Sequence, residues 1–299
     1  MAGLQSKWRI FVHRFFEWRI GCAPTRKLLI LDRQLNNYHK CAMLAQVQVQ
    51  GKLPPTTGKA YIMKKNLSLL CVLGCFVQPV WAANISTLGA LTQPEFKLFS
   101  EDLGSALSYK AVTPPTPLGV TGFDLGLEAT STAVKNSQLW ANASGGSSVS
   151  NLIVPKLHVY KGLPLNFDVG AFYSAVPSTN IKLYGGELRY AILDGGMALP
   201  AVGIRGSLTK LSGVDQLAFS TKSLDVSISK GFAMFTPYAG LGTVWVDSTP
   251  NVAPLVKETF RQNKIFAGGN LNFGLVNFAF EYDKTGSAPS YSAKLGFRF

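Results

Sequence analysis

The C-terminal stretch Ser290-Tyr291-Ser292-Ala293-Lys294-Leu295-Gly296-Phe297-Arg298-Phe299 alternates without a break. Tyr291, Ala293, Leu295, Phe297 and Phe299 fall on one side, Ser292, Lys294, Gly296 and Arg298 on the other. A period of two belongs to an extended strand whose two faces meet different surroundings. In water the charged face would point outward. In a membrane barrel the apolar face meets lipid and the polar face meets the lumen.

The same period runs upstream to Gly119. Phe123, Leu125 and Leu127 oppose Asp124 and Glu128; Ile153, Leu157 and Val159 oppose Lys156, His158 and Tyr160; Val169 and Ala171 oppose Asp168. Leu188 and Tyr190 face away from Glu187 and Arg189, Ile204 from Arg205, Leu224 and Val226 from Asp225, and Phe278, Phe280 and Tyr282 from Glu281 and Asp283. The expected strands are about 119–131, 151–161, 164–176, 181–193, 200–211, 215–230, 235–247, 260–273, 275–284 and 290–299. In the seventh, two apolar phases compete, Phe235, Leu241 and Trp245 against Tyr238, Val244 and Val246. The fold expected is all-β, an up-and-down antiparallel transmembrane barrel of about ten strands. An even count suits single-chain bacterial barrels, and the two longest connections, 132–150 and 248–259, are the first and seventh, hence on one side. A soluble β-barrel is the rival fold.

Ahead of the strands, Thr92-Gln93-Pro94-Glu95 has the form of a capping box, and Phe96, Phe99, Leu103, Ala106 and Leu107 recur at helical spacing. A short amphipathic helix to about Tyr109 is expected, closed by a stiff linker at Pro114, Pro115 and Pro117. Residues 83–118 are read as a periplasmic helix and linker, with the helix either plugging the lumen or lying along the inner leaflet.

Further upstream, residues 63–82 have the three parts of a signal peptide: Lys64 and Lys65, an apolar run from Leu67 to Val77, and small residues before a cleavage expected between Ala82 and Ala83. A membrane anchor is the weaker reading, since about 20 apolar residues are needed and Gln78-Pro79 interrupts the run. Lipoprotein processing at Cys75 ranks second, because apolar residues continue past it to Trp81. Residues 1–62 are read as an upstream extension outside the folded protein. The formal charge of +13 comes chiefly from this leader, and all four cysteines lie in it or in the 63–82 signal; downstream of Lys65 there remain 17 basic and 14 acidic residues and, past residue 83, no cysteine. The basic balance therefore gives no reason to expect nucleic acid.

With Tyr291, Leu295, Phe297 and terminal Phe299 on one face, residues 119–299 resemble the Gram-negative outer-membrane β-barrels inserted by the bacterial barrel-assembly machinery. The resemblance implies residence in the outer membrane among lipid and lipopolysaccharide, a folding partner, and the four aromatic and apolar residues as an assembly signal. It implies no activity, because the class spans pores, adhesins, enzymes and anchors.

The expected lumen face carries Asp124, Glu128, Lys156, His158, Asp168, Glu187, Arg189, Arg205, Asp225, Glu281, Asp283, Lys294 and Arg298. Five cations against seven carboxylates favour a salt-bridged interior over a strongly ion-selective pore. His158 is the one histidine outside the leader, too little for a catalytic constellation, and no metal-ligand cluster or phosphate loop is seen, so neither cofactor nor metal is expected. The leading functional reading is a narrow pore or structural membrane protein without catalysis. The alternatives are a surface-binding protein acting through loops 132–150 and 248–259, with Trp140, Asn142, Phe260 and Arg261 as contact residues, and a lipid-modifying enzyme.

Overall fold

A computed structural model describes residues 84–146, 148–196 and 199–299. The expectations for residues 1–62, for the signal at 63–82 and for cleavage at Ala82-Ala83 lie outside the described residues. Ten strands form one closed antiparallel barrel: β1 (Phe123–Ala133), β2 (Asn151–Gly162), β3 (Phe167–Ala175), β4 (Lys182–Asp194), β5 (Ala201–Ser212), β6 (Leu217–Ser229), β7 (Phe235–Pro250), β8 (Glu258–Phe273), β9 (Val276–Thr285) and β10 (Ala288–Arg298). Each strand pairs with its sequence neighbours, and β1 pairs with β10 to close the ring. The sequence expected β1 to start at Gly119, but Gly119 has φ +78°, and the amide of Gly122 donates to its carbonyl. That turn brings the chain out of the lumen and delays the strand to Phe123.

The two ends of the barrel differ. At the closing end Phe123 exchanges backbone hydrogen bonds with Phe299, and the connections are 163–166, 195–200, 230–234 and 274–275. At the loop end lie the connections 134–150, 176–181, 213–216, 251–257 and 286–287. The first of these is partly helical. It contains helix α2 (Ser137–Ser144), whose C-cap is Gly145 in the left-handed conformation at φ 73°.

The outer wall is apolar. Leu125, Leu127, Leu157, Leu188, Leu208, Leu224, Ile228, Phe280, Leu295 and Phe297 are all exposed, and they form a belt around the barrel. A continuous apolar belt far exceeds the few hundred Å² that water-soluble monomers expose, so lipid covers it. Aromatic rings border it: Phe123 with Phe299 and Phe167 with Tyr190 at the closing end, Tyr282 with Tyr291 towards the other. The rival soluble barrel would have to reverse every one of these faces.

The lumen is filled by the chain's own N-terminal segment. Residue 84 lies at the loop end, helix α1 (Gln93–Leu107) descends into the barrel, and residues 108–118 continue to the closing end, where β1 begins. Of the two placements that the sequence left open for the helix, it occupies the lumen, not a position beside the inner leaflet. The capping box forms: the backbone amide of Thr92 donates to Glu95 at 2.8 Å, and this hydrogen bond holds the exposed Glu95 carboxyl below its usual range.

From Phe99 onward almost every residue of α1 is buried, Asp102 and Ser105 included. A helix on a surface keeps a wet face, whereas one inside a barrel meets wall in every direction. The loop-end half of the lumen is accordingly apolar: Phe96, Phe99 and Leu103 pack with inward-facing Leu152, Leu183, Leu211, Phe219, Val244 and Val246. This resolves the competing phases of β7. Its Leu241 and Trp245 face lipid while Val244 and Val246 face the helix. A Cβ on Gly104 would stand 2.9 Å from Val246 Cγ2 and 2.7 Å from Gln262 Oε1. Gly104→Val is therefore expected to destabilise the docked helix by about 1–3 kcal/mol, read as a lower chemical-denaturation midpoint.

Candidate functional site: a latched plug

An extended segment crossing a lumen has no strand beside it, so its backbone polar groups need partners from the wall. Three residues of this stretch are Pro114, Pro115 and Pro117, which bring no N–H. The prolines leave this stretch with more acceptors than donors, and wall cations meet several of the acceptors. Lys264 Nζ donates to the carbonyl of Tyr109 at 2.8 Å, Lys156 Nζ to that of Lys110 at 2.8 Å, and Arg189 Nη1 to that of Pro114 at 2.8 Å. Arg298 Nη2 donates to the Thr113 hydroxyl at 2.7 Å. The exchange runs the other way for Lys110, which pairs with Asp283 at 3.2 Å, and for the amide of Leu118, which donates to Asp168 at 3.0 Å.

Each latch cation is itself held by carboxylates. Asp168 binds Arg189 through Nε at 3.0 Å and Nη2 at 2.7 Å. Asp225 takes Lys264 at 3.1 Å and Arg205 at 3.2 Å, with Glu187 at 3.6 Å from Arg205. Glu128 pairs with Lys156, and Asp124 binds Lys294 at 2.9 Å and Arg298 at 2.6 Å. Glu281 accepts from the Tyr238 hydroxyl at 3.0 Å. All thirteen residues read from the sequence as lumenal point inward, all buried but Arg298, whose side chain is 19% exposed.

Two members of the layer escaped the sequence reading. Lys264 and Lys110 raise the cations to seven, equal to the seven carboxylates. Lys264 was missed because β8 carries apolar residues on both phases, and Lys110 because it belongs to the linker. Equal numbers suit a closed, dehydrated layer, where an unpaired charge would be costly.

His158 sits within this layer, its Nε2 3.5 Å from Asp124 and its Nδ1 3.5 Å from Glu128, with its ring against Tyr160 at 4.9 Å. It is 2% exposed and lies under the plug.

The mouth at the loop end is closed by a cap. Asn180 pairs through its amide with both backbone groups of Ile85, at 3.1 and 3.0 Å, and Gln216 accepts from the amide of Leu88 at 2.9 Å. Gln93 bridges to the backbone of Val256 at 2.9 and 3.2 Å. Asp102 accepts from the amides of Lys135 and Asn136, which places α2 over the helix.

This arrangement corrects two of the four residues proposed for surface contact. Trp140 is 1% exposed and packs on Phe99 at 4.9 Å, so it belongs neither to the surface nor to an outer aromatic girdle. Phe260 turns inward against the core, and the carbonyl of Asn142 is occupied by the Thr87 hydroxyl. Arg261 is exposed on the wall, and Asn142 is half-buried at the cap. Trp140 looked like a loop residue because nothing local shows that a helix from 40 residues upstream will meet it.

No family model matches the sequence, and no curated protein matches it. Among solved structures, the chain is similar to a loop L8 deletion mutant of OmpT, an outer membrane protein of Vibrio cholerae, with 14% identity and a TM-score of 0.27 over 50% of this chain and 55% of that one. It spans only about half the length of that protein. It is also similar to the attachment invasion locus protein Ail of Yersinia pestis in complex with the heparin analogue sucrose octasulfate, with 13% identity and a TM-score of 0.26 over 60% and 99% of the two chains. The translocator domain of the autotransporter NalP from Neisseria meningitidis shows 12% identity and a TM-score of 0.33 over 74% and 99%. The closed antiparallel β-barrel rests on this chain's own strand ladder.

Proposed function

We propose that this is an outer-membrane barrel sealed by its own N-terminal segment, a structural and display scaffold and not an open pore. The observation that carries the reading is the continuous filling of the lumen by residues 93–118, with an apolar seal at one end and a balanced ionic layer at the other. Eight-stranded barrels are filled by side chains alone; two more strands leave room for one helix and one extended chain, and both are present. The long connections support an outward-facing loop end, as in barrels of this class, and with it residue 84 and the cap at the cell surface. On this reading residues 84–118 are not periplasmic but run from the surface through the barrel.

Planar-bilayer recording tests this. Protein comprising residues 83–299 is expected to give no conductance steps, and the same barrel lacking 84–117 to conduct once its heat-modifiable migration shows that it has closed. Conductance by the intact protein would overturn the sealed scaffold and restore the narrow pore.

A second reading, surface binding, draws on the cap, whose backbone is held at Ile85, Leu88 and Val256 by three amide side chains and so presents a fixed surface. Catalysis by His158 draws no comparable support, because a buried imidazole between two carboxylates beneath a plug has no path for substrate.

A further inference from the structure

The outer wall is not uniformly apolar. Near the loop end, Lys182 on β4, Lys210 on β5, Lys222 on β6, Arg261 on β8 and Lys284 on β9 all point outward and are exposed. Among the described residues, the carboxylate that faces outward here, Asp247, is engaged by Lys257 at 3.0 Å. At the closing end the contrast is plain: outward Lys161 donates to the carbonyls of Val120 and Gly122 and lies 4.3 Å over the ring of Phe123.

The strand register groups the cations. Lys210 faces Ser220, so Lys222, two residues on, is its diagonal neighbour, about 7–8 Å away. Lys222 faces Trp245, which faces Arg261. Directly beside Lys222 a groove of about 480 Å³ opens on the wall, lined by Val169, Leu188, Leu208 and the bare backbone of Gly186 and Gly206. A Cβ at Gly206 would meet nothing within 4 Å, so the groove is open to the lipid.

We propose that this wall is a binding site for a phosphorylated glycolipid of the outer leaflet. Lys210, Lys222 and Arg261 meet its phosphates at the depth of the headgroups, Trp245 lies among them, and an acyl chain occupies the groove over Gly186 and Gly206. Charge complementarity selects the occupant: a row of cations at a membrane interface attracts anionic headgroups, and the apolar groove is shaped for a chain and not for a free anion. The site rests on the outer-membrane reading, which fixes the leaflet that it faces.

The test uses the purified protein in phosphatidylcholine vesicles doped with purified lipid A, with bound lipid A counted after re-isolation of the protein. Lipid A is expected to be retained and dephosphorylated lipid A to be lost. The variant Lys210→Gln/Lys222→Gln/Arg261→Gln should weaken retention at least about tenfold while inserting normally. Equal retention by that variant, or complete displacement of lipid A by inorganic phosphate, would overturn the site. Failure of the wild-type protein to insert and show heat-modifiable migration would instead reject the membrane reading itself, so the two failures are distinguishable.

Discussion

Asp124→Ala is expected to destabilise the closed barrel by about 3–5 kcal/mol, the largest effect of any single ionic substitution on the wall. Its carboxylate is fully buried and sits at the seam where the first strand meets the last. One oxygen receives Lys294 at 2.9 Å and Arg298 through Nε at 2.9 Å and Nη2 at 2.6 Å; the other lies 3.5 Å from His158. Alanine leaves two cations in a dehydrated layer with their nearest countercharge removed. Such orphaned charges cost more than the pair was worth, so a second change that removes one of them should recover stability. Urea unfolding in detergent micelles checks both points: Asp124→Ala should lower the midpoint strongly, and Asp124→Ala/Lys294→Met should regain part of the loss. A cost below about 1 kcal/mol for the single variant would mean that the β1–β10 ladder closes the seam unaided.

Phe99→Ala is expected to cost about 3–5 kcal/mol, but to act on the plug and not on the wall. Phe99 is fully buried, and its ring lies 4.9 Å from Trp140 at 57°, so it joins α1 to the cap carried by α2. Truncation removes the contact that couples the two. The emission of buried Trp140 should shift to the red at a lower denaturant concentration than in the wild type, while exposed Trp245 reports no change. Heat-modifiable migration, which follows the ten-strand ladder, should stay as it was. Simultaneous loss of plug and ladder would show that the helix is part of one cooperative unit with the barrel.

The two substitutions probe parts that were unequally visible in the sequence. Asp124, Glu128 and Lys294 were legible as lumenal because each alternates with lipid-facing leucine, valine or phenylalanine along a strand, and a period of two assigns faces without any knowledge of neighbours. Trp140 and Val246 were not. Their positions depend on a helix that comes from elsewhere in the chain and that inverts the usual rule for a lumen by making half of it apolar. The ambiguous phase of β7 was the one local sign of that inversion, an inward apolar face in search of a partner.

What the sequence by itself determined is the ladder: ten strands, their order, which face most strand side chains take, and a capped helix ahead of them. Those follow from periodicity and capping, interactions that close within a few residues. What only the tertiary structure decided is where the helix goes and what its passage requires. A proline-rich segment short of N–H donors, and wall cations on β2, β4, β8 and β10 placed to meet its acceptors, become one latch only when the barrel has closed around the chain.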